Sequence, residues 1–262
     1  MTDHVLVSIE DGVQIVTMNR PDKKNALTDA MYRVLADAIE AADTDPKIRV
    51  TLFTGMGDAF TAGNDLGDFA KAGSTPVSEQ PTTKANVTRF LENLAEARKP
   101  LIASVNGLAV GVGVTMLLHC DLVYAGTSAT FQMPFVNLGL VPEAGSTFLL
   151  QRQIGIQKAA DLFLTGKKLT AEKAEAIGLI ADVFPDNALP VEALKRAKTL
   201  AAKAPNAVRV TKALLKDNER ERVGQAREAE GRHFASQLRS DEVKEAISAF
   251  FEKRTADFSK FS

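Results

Sequence analysis

Glu143 is an acidic residue whose neighbours in the sequence are compatible with a catalytic role. It lies in the stretch LVPEAGSTF, residues 140–148, directly after a proline and before small residues. A carboxylate whose pKa is near the working pH can act as a general base. The same pattern is typical of a helix start, where proline takes the first helical position and an acid lies in the first turn. These nine residues leave both interpretations open.

Two turns of small residues suggest an anion site. The stretches FTAGNDL, residues 60–66, and NGLAVGVGV, residues 106–114, each follow a predicted strand. A glycine turn at a helix start leaves backbone N–H groups without partners and lets a ligand approach them closely. Two such groups aimed at one oxygen form an oxyanion hole. The alternative is that the glycines only let strands and helices pack closely.

The sequence lacks the residues that several other common types of site require. The three histidines, His4, His119 and His233, are far apart in the chain and have no partner at ligand spacing, so we expect no metal site. His119 stands in an apolar run and is predicted to be a core histidine. The sequence has neither a G-x-S-x-G elbow nor a G-x-x-x-x-G-K-S/T phosphate loop, and residues 107–113 have the wrong spacing for G-x-G-x-x-G.

Alternating strands and helices must position these residues. Residues 4–20 predict two strands joined at Asp11-Gly12, and residues 28–45 predict an amphipathic helix capped by Thr28. Strand and helix patterns alternate to about Val183, which indicates an α/β fold. Residues 71–83 are rich in Gly, Ser, Thr and Pro and are predicted to form a mobile loop.

The C-terminal part of the chain has a different pattern. After Pro185 every segment is helical in pattern and no strand signal remains. We therefore expect a core of residues 1–186 followed by an all-helical region of residues 187–262. Apolar residues of that region, such as Phe250 and Phe251, are expected to pack on the core or on another subunit.

The composition of the chain limits the kinds of partner and compartment that we expect for it. The 262 residues include 32 Lys and Arg against 33 Asp and Glu, a net charge of -1, so the chain has no basic field for nucleic acid. The single cysteine, Cys120, fits a reducing compartment, and the N-terminus lacks a signal peptide's apolar run, so we expect a cytoplasmic protein.

The uncharged run between Lys99 and His119 contains Pro100 and several glycines, which predicts a buried strand, turn and helix start instead of a membrane span.

Four stretches carry a family resemblance. NRPDKKNALT (19–28), FTAGNDL (60–66), KPLIASVNGLAVGVGVTMLLHCDLVYAG (99–126) and FQMPFVNLGLVPEAGST (131–147) occur in this order. Together they resemble the enoyl-CoA hydratase/isomerase family, the crotonases, over nearly the whole chain. The resemblance implies a spiral of repeated ββα units, a helical C-terminal region that caps the active site, and homotrimers or dimers of trimers. It also implies an acyl-CoA thioester substrate; coenzyme A is part of that substrate, so no separate cofactor is expected.

The resemblance implies roles for particular residues. Two backbone N–H groups hold an enolate oxygen in this family, and by position they fall on Asn64 and Val112; each such donor contributes roughly 3 kcal/mol to the transition state. Lys24 belongs to a segment that contacts CoA in the family, although Lys23 and Lys24 also fit an ordinary solvated loop. The residues expected along the substrate and CoA are Lys24, Ala26, Ala62, Asp65, Leu66, Gly111, Phe135 and Gly139.

Two positions depart from the hydratase pattern. Hydratases of this family activate water with two glutamates, and those positions here are Thr115 and Phe135. Threonine is no base near neutral pH, and phenylalanine makes the pocket drier. The Δ3,Δ2-enoyl-CoA isomerases of the family instead use one glutamate, at the position of Glu143. The resemblance therefore implies an isomerase that moves the double bond of a 3-enoyl-CoA to the 2-position. The alternatives are hydration, a ring-opening isomerisation, or acyl-CoA binding without catalysis.

Overall fold

The computed structural model describes residues 3–68 and 85–261. Within them the chain forms a mixed α/β fold whose last part is helical. The strands are β1 (Val5–Glu10), β2 (Val13–Met18), β3 (Val50–Gly55), β4 (Ala59–Thr61), β5 (Leu101–Val105), β6 (Leu108–Val110), β7 (Leu122–Gly126), β8 (Thr130–Gln132), β9 (Lys168–Thr170) and β10 (Asp182–Phe184). The helices are α1 (Asp29–Thr44), α2 (Asn86–Glu96), α3 (Val112–Thr115), α4 (Ser146–Ile154), α5 (Ile156–Thr165), α6 (Ala171–Ala176), α7 (Leu189–Ala201), α8 (Pro205–Lys216), α9 (Arg220–Gln237) and α10 (Asp241–Phe251).

Two sheets are built from a repeated unit. The large sheet has the order β1-β2-β3-β5-β7-β10, with parallel pairing from β2 onward. The small sheet has the order β4-β6-β8-β9. Each of β3, β5 and β7 is followed by a short strand of the small sheet and then by a helix. The expected spiral of ββα units is therefore confirmed.

The N-terminal hairpin and the first helix follow the predicted pattern. β1 and β2 are antiparallel, and both turn residues are left-handed, Asp11 at φ +48° and Gly12 at φ +81°. This is the twist that a two-residue hairpin needs. Thr28 caps α1 by accepting a hydrogen bond from the Met31 N–H at 3.4 Å. α1 buries its apolar face and packs against α2.

The core lies on both faces of the large sheet. The main apolar cluster includes Phe53 of β3, Phe60 of β4 and Phe131 of β8, all fully buried. The opposite face of the sheet is covered by α7, whose Leu189 packs with a second cluster that includes Val50. Burial on both faces explains why β5 is a continuous apolar run.

The uncharged run before His119 is a strand, a turn and a helix start, as predicted. It forms β5, β6, the single-turn α3 and a 3₁₀ turn, all in the interior. In the described part of the chain, no helix is both long and apolar enough to cross a bilayer. The predicted loop at 71–83 lies outside the described residues.

The helical C-terminal region is also present. From Leu189 onward the described residues form four α-helices, α7 to α10, and no strand. α9 packs against α4, and α10 packs against the 3₁₀ turn at Val136–Leu138. The division of the chain at residue 186 stays a prediction, since α7 is part of the large sheet's packing.

Candidate active site

The two small-residue turns meet at one edge of the small sheet. β4 and β6 are parallel neighbours, so the turns that follow them lie side by side. A Cβ atom on Gly63 would lie 2.8 Å from the Val110 carbonyl oxygen, and one on Gly113 would lie 2.6 Å from Cγ2 of Thr61. Contacts this short exclude any side chain at Gly63 and Gly113. The glycines therefore bring the two backbones together, which the sequence left as one of two interpretations.

Each turn also carries a backbone N–H group without a partner. The neighbours of Asn64 are engaged, because Leu27 N–H donates to Gly63 O at 2.8 Å and Asp65 N–H donates to Leu27 O at 2.9 Å. The amide of Asn64 itself, and that of Val112, donate to no acceptor in the described ranges. Val112 opens α3, where an N–H has no intrahelical acceptor. An oxyanion hole needs two free amides aimed at one oxygen, and this role of Asn64 and Val112 stays a prediction.

Gly111 orients the second of these amides. Its backbone, at φ +56° and ψ −117°, is in a region that residues with a side chain rarely enter. Apart from its two chain neighbours, no heavy atom of residues 3–68 and 85–261 lies within 4 Å of the position that a Cβ would take there. Within these residues a ligand therefore has room to approach the backbone at the predicted site residue Gly111, beside the Val112 amide.

Tyr32 connects the Asn64 turn with Glu143. Its hydroxyl donates a hydrogen bond to Oδ1 of Asn64. The side chain is buried, and its pKa is raised well above 10.0, first by burial and then by the negative charge of Glu143. Tyr32 therefore remains a hydrogen-bond donor at any working pH. Tyr32 therefore interacts with both residues, with Asn64 through a hydrogen bond and with Glu143 through the charge of its carboxylate.

Glu143 is not the start of a helix. α4 begins at Ser146 with Gly145 as its N-cap, so that interpretation of LVPEAGSTF is wrong. The side chain of Glu143 is buried, and its Oε1 has no hydrogen-bond partner in the described part of the chain. Burial raises the pKa of Glu143 to about 7, and the negative charge of Glu230 contributes to the increase. A carboxyl group with this pKa is ionised in about half of the molecules at neutral pH, which suits a general base.

His119 holds the backbone beside Glu143. Its Nε2–H donates to the Ala144 carbonyl oxygen at 2.7 Å, and Ala144 has a left-handed φ of +68°. Burial lowers the pKa of His119 to about 4, so the imidazole is neutral, and because a carbonyl only accepts, Nε2 carries the proton. The prediction of a core histidine is confirmed. Its hydrogen bond also stabilises a turn that costs a non-glycine residue about 1 kcal/mol.

The two positions that depart from the hydratase pattern are both buried. Thr115 is fully buried, and its Oγ1 has no partner within the described residues. Phe135 is part of the main apolar cluster. Neither supplies a carboxylate, and Phe135 keeps its surroundings apolar.

The segment predicted to contact CoA is held against the Asn64 turn by its backbone. The Ala62 N–H donates to Lys24 O at 2.8 Å, and Ala26 O accepts from Arg20 at 3.1 Å. Lys24 is half exposed and pairs with Asp58 at 2.6 Å. The structure therefore brings Lys24, Ala26 and Ala62 together, and their contact with CoA stays a prediction.

Three other predicted residues have local structural roles. Asp65 pairs with Arg20 at 2.6 Å and accepts the Gly67 N–H at 2.9 Å, and the Arg20 guanidinium holds the pKa of Asp65 below its usual range. Leu66 is half-buried, directly after Asp65. Gly139 lies under α10, because a Cβ there would be 3.0 Å from Cβ of Glu242. None of these contacts tests the predicted substrate roles.

Several residues around the site have no functional signal in the sequence. Asn25 is fully buried and left-handed, and its side chain binds Met56 O at 2.9 Å and Ala59 O at 2.7 Å, which fixes the Lys24 segment. Tyr32 lies next to Met31 in the amphipathic helix α1, where its sequence pattern is that of an apolar position. Glu230 lies in a helix with many charged residues, a pattern that is typical of a solvated surface. A polar or charged residue buried by tertiary packing leaves no periodic signal.

Comparison with known proteins identifies the family of this chain. The model of the enoyl-CoA hydratase/isomerase family matches residues 8–260. The chain belongs to this family. A crystal structure of an enoyl-CoA hydratase/isomerase from Pseudoalteromonas atlantica T6c is 45% identical, with a TM-score of 0.92, and the match covers 98% of this chain and all of that one. The fold expected for the family is thereby confirmed.

Two curated relatives differ in their reactions. Enoyl-CoA delta isomerase 2 of Rattus norvegicus is 41% identical over 251 residues, which are 95% of this chain and 64% of the relative, so the chain spans less than two thirds of that protein. The 2,3-dehydroadipyl-CoA hydratase of Escherichia coli (strain K12) is 36% identical, and the match covers 97% of this chain and 98% of the relative. Family membership alone therefore leaves the reaction open.

Proposed function

We propose that the protein is an acyl-CoA isomerase that converts a 3-enoyl-CoA into the 2-enoyl-CoA, with Glu143 as its single base. The observation that carries the proposal is the setting of Glu143: it is a buried carboxyl group with a pKa raised to about 7, and its charge acts on Tyr32, whose hydroxyl binds Asn64 in one of the two turns that carry a free amide. The rat relative named as an isomerase supports the same assignment.

The reaction needs one proton to move between two carbons. The Glu143 carboxylate removes a proton from C2, and the electrons form a dienolate whose oxygen carries the negative charge. The amides of Asn64 and Val112 bind that oxygen, at roughly 3 kcal/mol for each donor. The same carboxyl group then returns the proton to C4, and the double bond shifts from C3–C4 to C2–C3. A dry pocket keeps the proton from exchanging with solvent, and the burial of Phe135 and Thr115 suits that need.

Hydration is the second candidate, and the bacterial hydratase that matches over its whole length favours it. Adding water to a 2-enoyl-CoA requires a carboxylate pair that activates the water and protonates the product. At the two positions where the family's hydratases have that pair, this chain has Thr115 and Phe135. The chemistry of these side chains therefore argues for isomerisation.

The test is the turnover of three CoA esters by the wild-type protein side by side: a trans-3-enoyl-CoA, a trans-2-enoyl-CoA, and an ester with an epoxide ring. Isomerisation of the first is expected to be at least about a hundredfold faster than hydration of the second, the order of contribution of one acid or base. Hydration at a similar rate would favour the hydratase, and turnover of only the epoxide would favour the ring-opening reaction. Binding without any turnover would favour an acyl-CoA-binding protein.

A further inference from the structure

Glu230 is a buried carboxyl group in the helical C-terminal region. It lies on α9, where charged residues predominate, yet only 5% of it is exposed. Its Oε2 accepts the Gly145 N–H at 2.6 Å, and its Oε1 accepts the Thr147 N–H at 2.8 Å and the Thr147 hydroxyl at 2.6 Å. Three donors converge on this one group, and a carboxylate, which only accepts, is suited to all three.

These hydrogen bonds end on the helix that follows Glu143. α4 has no acid in its own first turn, and its N-cap, Gly145, has no side chain to accept a hydrogen bond. Glu230 therefore supplies from α9 the negative charge that a helix N-terminus favours. Two turns further along α9, Gln237 accepts the Val141 N–H at 2.8 Å. α9 thus holds the chain on both sides of Glu143.

The packing between α9 and this turn is close. A Cβ on Gly145 would lie 3.1 Å from Cγ1 of Val223 and 3.1 Å from Cγ of Arg227, both on α9. The turn cannot shift toward α9, and the hydrogen bonds to Glu230 prevent it from moving away. Together with the hydrogen bond from His119 to Ala144, this fixes the position of the Glu143 backbone.

Several groups of different charge face Glu143. From α9 it is Glu230, whose like charge raises the pKa of Glu143. Arg227 of the same helix pairs with Glu92 of α2 at 3.7 Å, and its charge helps to lower the pKa of His119. From α1 it is Tyr32, and from the 3₁₀ turn it is the neutral His119. Glu230 is the group in this set that is both negatively charged and bonded to the turn of Glu143.

We propose that Glu230 is a positioning residue of the reaction: it holds the turn that carries Glu143 and keeps a negative charge beside that base. The C-terminal region would then set the strength of a base that belongs to the core. This inference rests on the proposed function, because the role of Glu230 is defined through Glu143.

The test compares the pH profiles of kcat/KM for isomerisation by the wild type, Glu230→Gln and Thr147→Val. Removing the charge of Glu230 makes Glu143 easier to ionise, so the acidic limb of the Glu230→Gln profile is expected to move to lower pH by about half a unit or more. The weaker base should also lower the plateau of the profile, by up to about threefold for each half unit, the most that Brønsted behaviour allows. Thr147→Val loses one hydrogen bond and keeps the charge, so its kcat should fall without a shift of the limb.

The control is Glu228→Gln, which removes an exposed carboxylate of α9 that pairs with Arg232. Its profile should match that of the wild type. A Glu230→Gln profile with an unshifted limb would overturn the proposal. If Glu230→Gln does not fold, Glu230→Asp takes its place, since it withdraws the carboxylate by one methylene; its limb should shift in the same direction, and an unshifted limb again counts against the proposal.

A second readout separates this inference from the proposed function. The Glu143 carboxyl carbon, labelled with ¹³C and assigned through Glu143→Gln, can be titrated by NMR without substrate. A lower apparent pKa in Glu230→Gln than in the wild type would support the role of Glu230 even if no isomerisation is found. Equal titrations would contradict it even if the wild type is an active isomerase.

Discussion

Glu143 combines a buried position with a charge that its reaction requires. Its Oε1 has no hydrogen-bond partner in the described part of the chain, and burial is the main reason that its pKa is raised to about 7. The same desolvation that makes the carboxylate a stronger base makes its ionised form costly in the folded protein. The ionised carboxylate of Glu143 is therefore expected to favour the proposed reaction and to lower the stability of the folded protein.

The first prediction concerns the stability of Glu143→Gln. Because the folded pKa is above the ordinary value of 4.5, the folded protein holds the proton more tightly, and this stabilising effect is lost as pH rises from 4.5 through 7. Glu143→Gln should therefore be more stable than the wild type by about 3 kcal/mol above pH 7, with no difference near pH 4. Urea unfolding at pH 4 and pH 8 measures this. His119 titrates in the same way in both proteins, so it cancels, and equal stabilities at pH 8 would show that Glu143 is not desolvated.

The second prediction concerns Tyr32→Phe. The substitution removes the hydroxyl that binds Oδ1 of Asn64 and leaves the packing against Phe90 in place. The Asn64 amide should then be less well fixed, so kcat should fall about tenfold, the value of one hydrogen bond, with KM nearly unchanged. Steady-state kinetics measure both constants. A variant with wild-type kcat would exclude Tyr32 from the positioning of the turn.

At the scale of elements, the site depends on where parallel strands end. β4 and β6 have only three residues each, and the sequence does not predict these short strands because they carry no periodic pattern. The long elements, by contrast, are predicted by their patterns: the hairpin at Asp11-Gly12, α1 with its Thr28 cap, and the buried β5. The sequence also indicates the glycine turns. The sequence separation of the two turns does not show that they lie side by side, because this follows from the pairing of β4 with β6.

The third prediction compares two glycines that both have a positive φ, Gly111 and Gly155. Apart from their chain neighbours, no heavy atom of the described residues lies within 4 Å of the position that a Cβ would take at either glycine. Gly111→Ala and Gly155→Ala should therefore both destabilise the fold, by about 1–3 kcal/mol. Only Gly111→Ala turns the Val112 amide, so only this variant should lose kcat, by about a hundredfold for one oxyanion donor. Thermal unfolding and kinetics of both proteins provide the comparison, and an equal loss of activity in the two would refute the role of Gly111.

At the scale of the whole molecule, the core and the C-terminal region share the site. The proposed base and the two proposed oxyanion donors belong to the core, whereas α9 bonds to both sides of the Glu143 turn through Glu230 and Gln237. The sequence predicts the helices of this region but not its contacts with the site, because a buried Glu230 in a charged helix resembles a solvated one. The assignment of Glu143 as the base is a proposal that starts from the family resemblance. Its burial and raised pKa are visible only in the structure.

The fourth prediction concerns assembly. The C-terminal helices expose several large apolar side chains, namely Val210, Leu214, Leu215, Phe250 and Phe251. Such residues in one region are typical of an interface. We expect a homotrimer or a dimer of trimers, and light scattering on a sizing column should give three or six times the mass of one chain. Leu214→Glu with Leu215→Glu should lower that mass, and a wild-type protein that runs as a monomer at micromolar concentration would contradict the prediction.

The most direct test of the account is the isomerisation of a trans-3-enoyl-CoA by Glu143→Gln at pH 8, where the wild-type base is ionised. We predict that kcat falls by at least about a thousandfold, within the range for loss of a general base, while the ester still binds. The predicted gain in stability means that unfolding cannot explain such a loss. A variant that keeps kcat within tenfold of the wild type would show that Glu143 is not the base, and the proposed isomerase mechanism would be wrong.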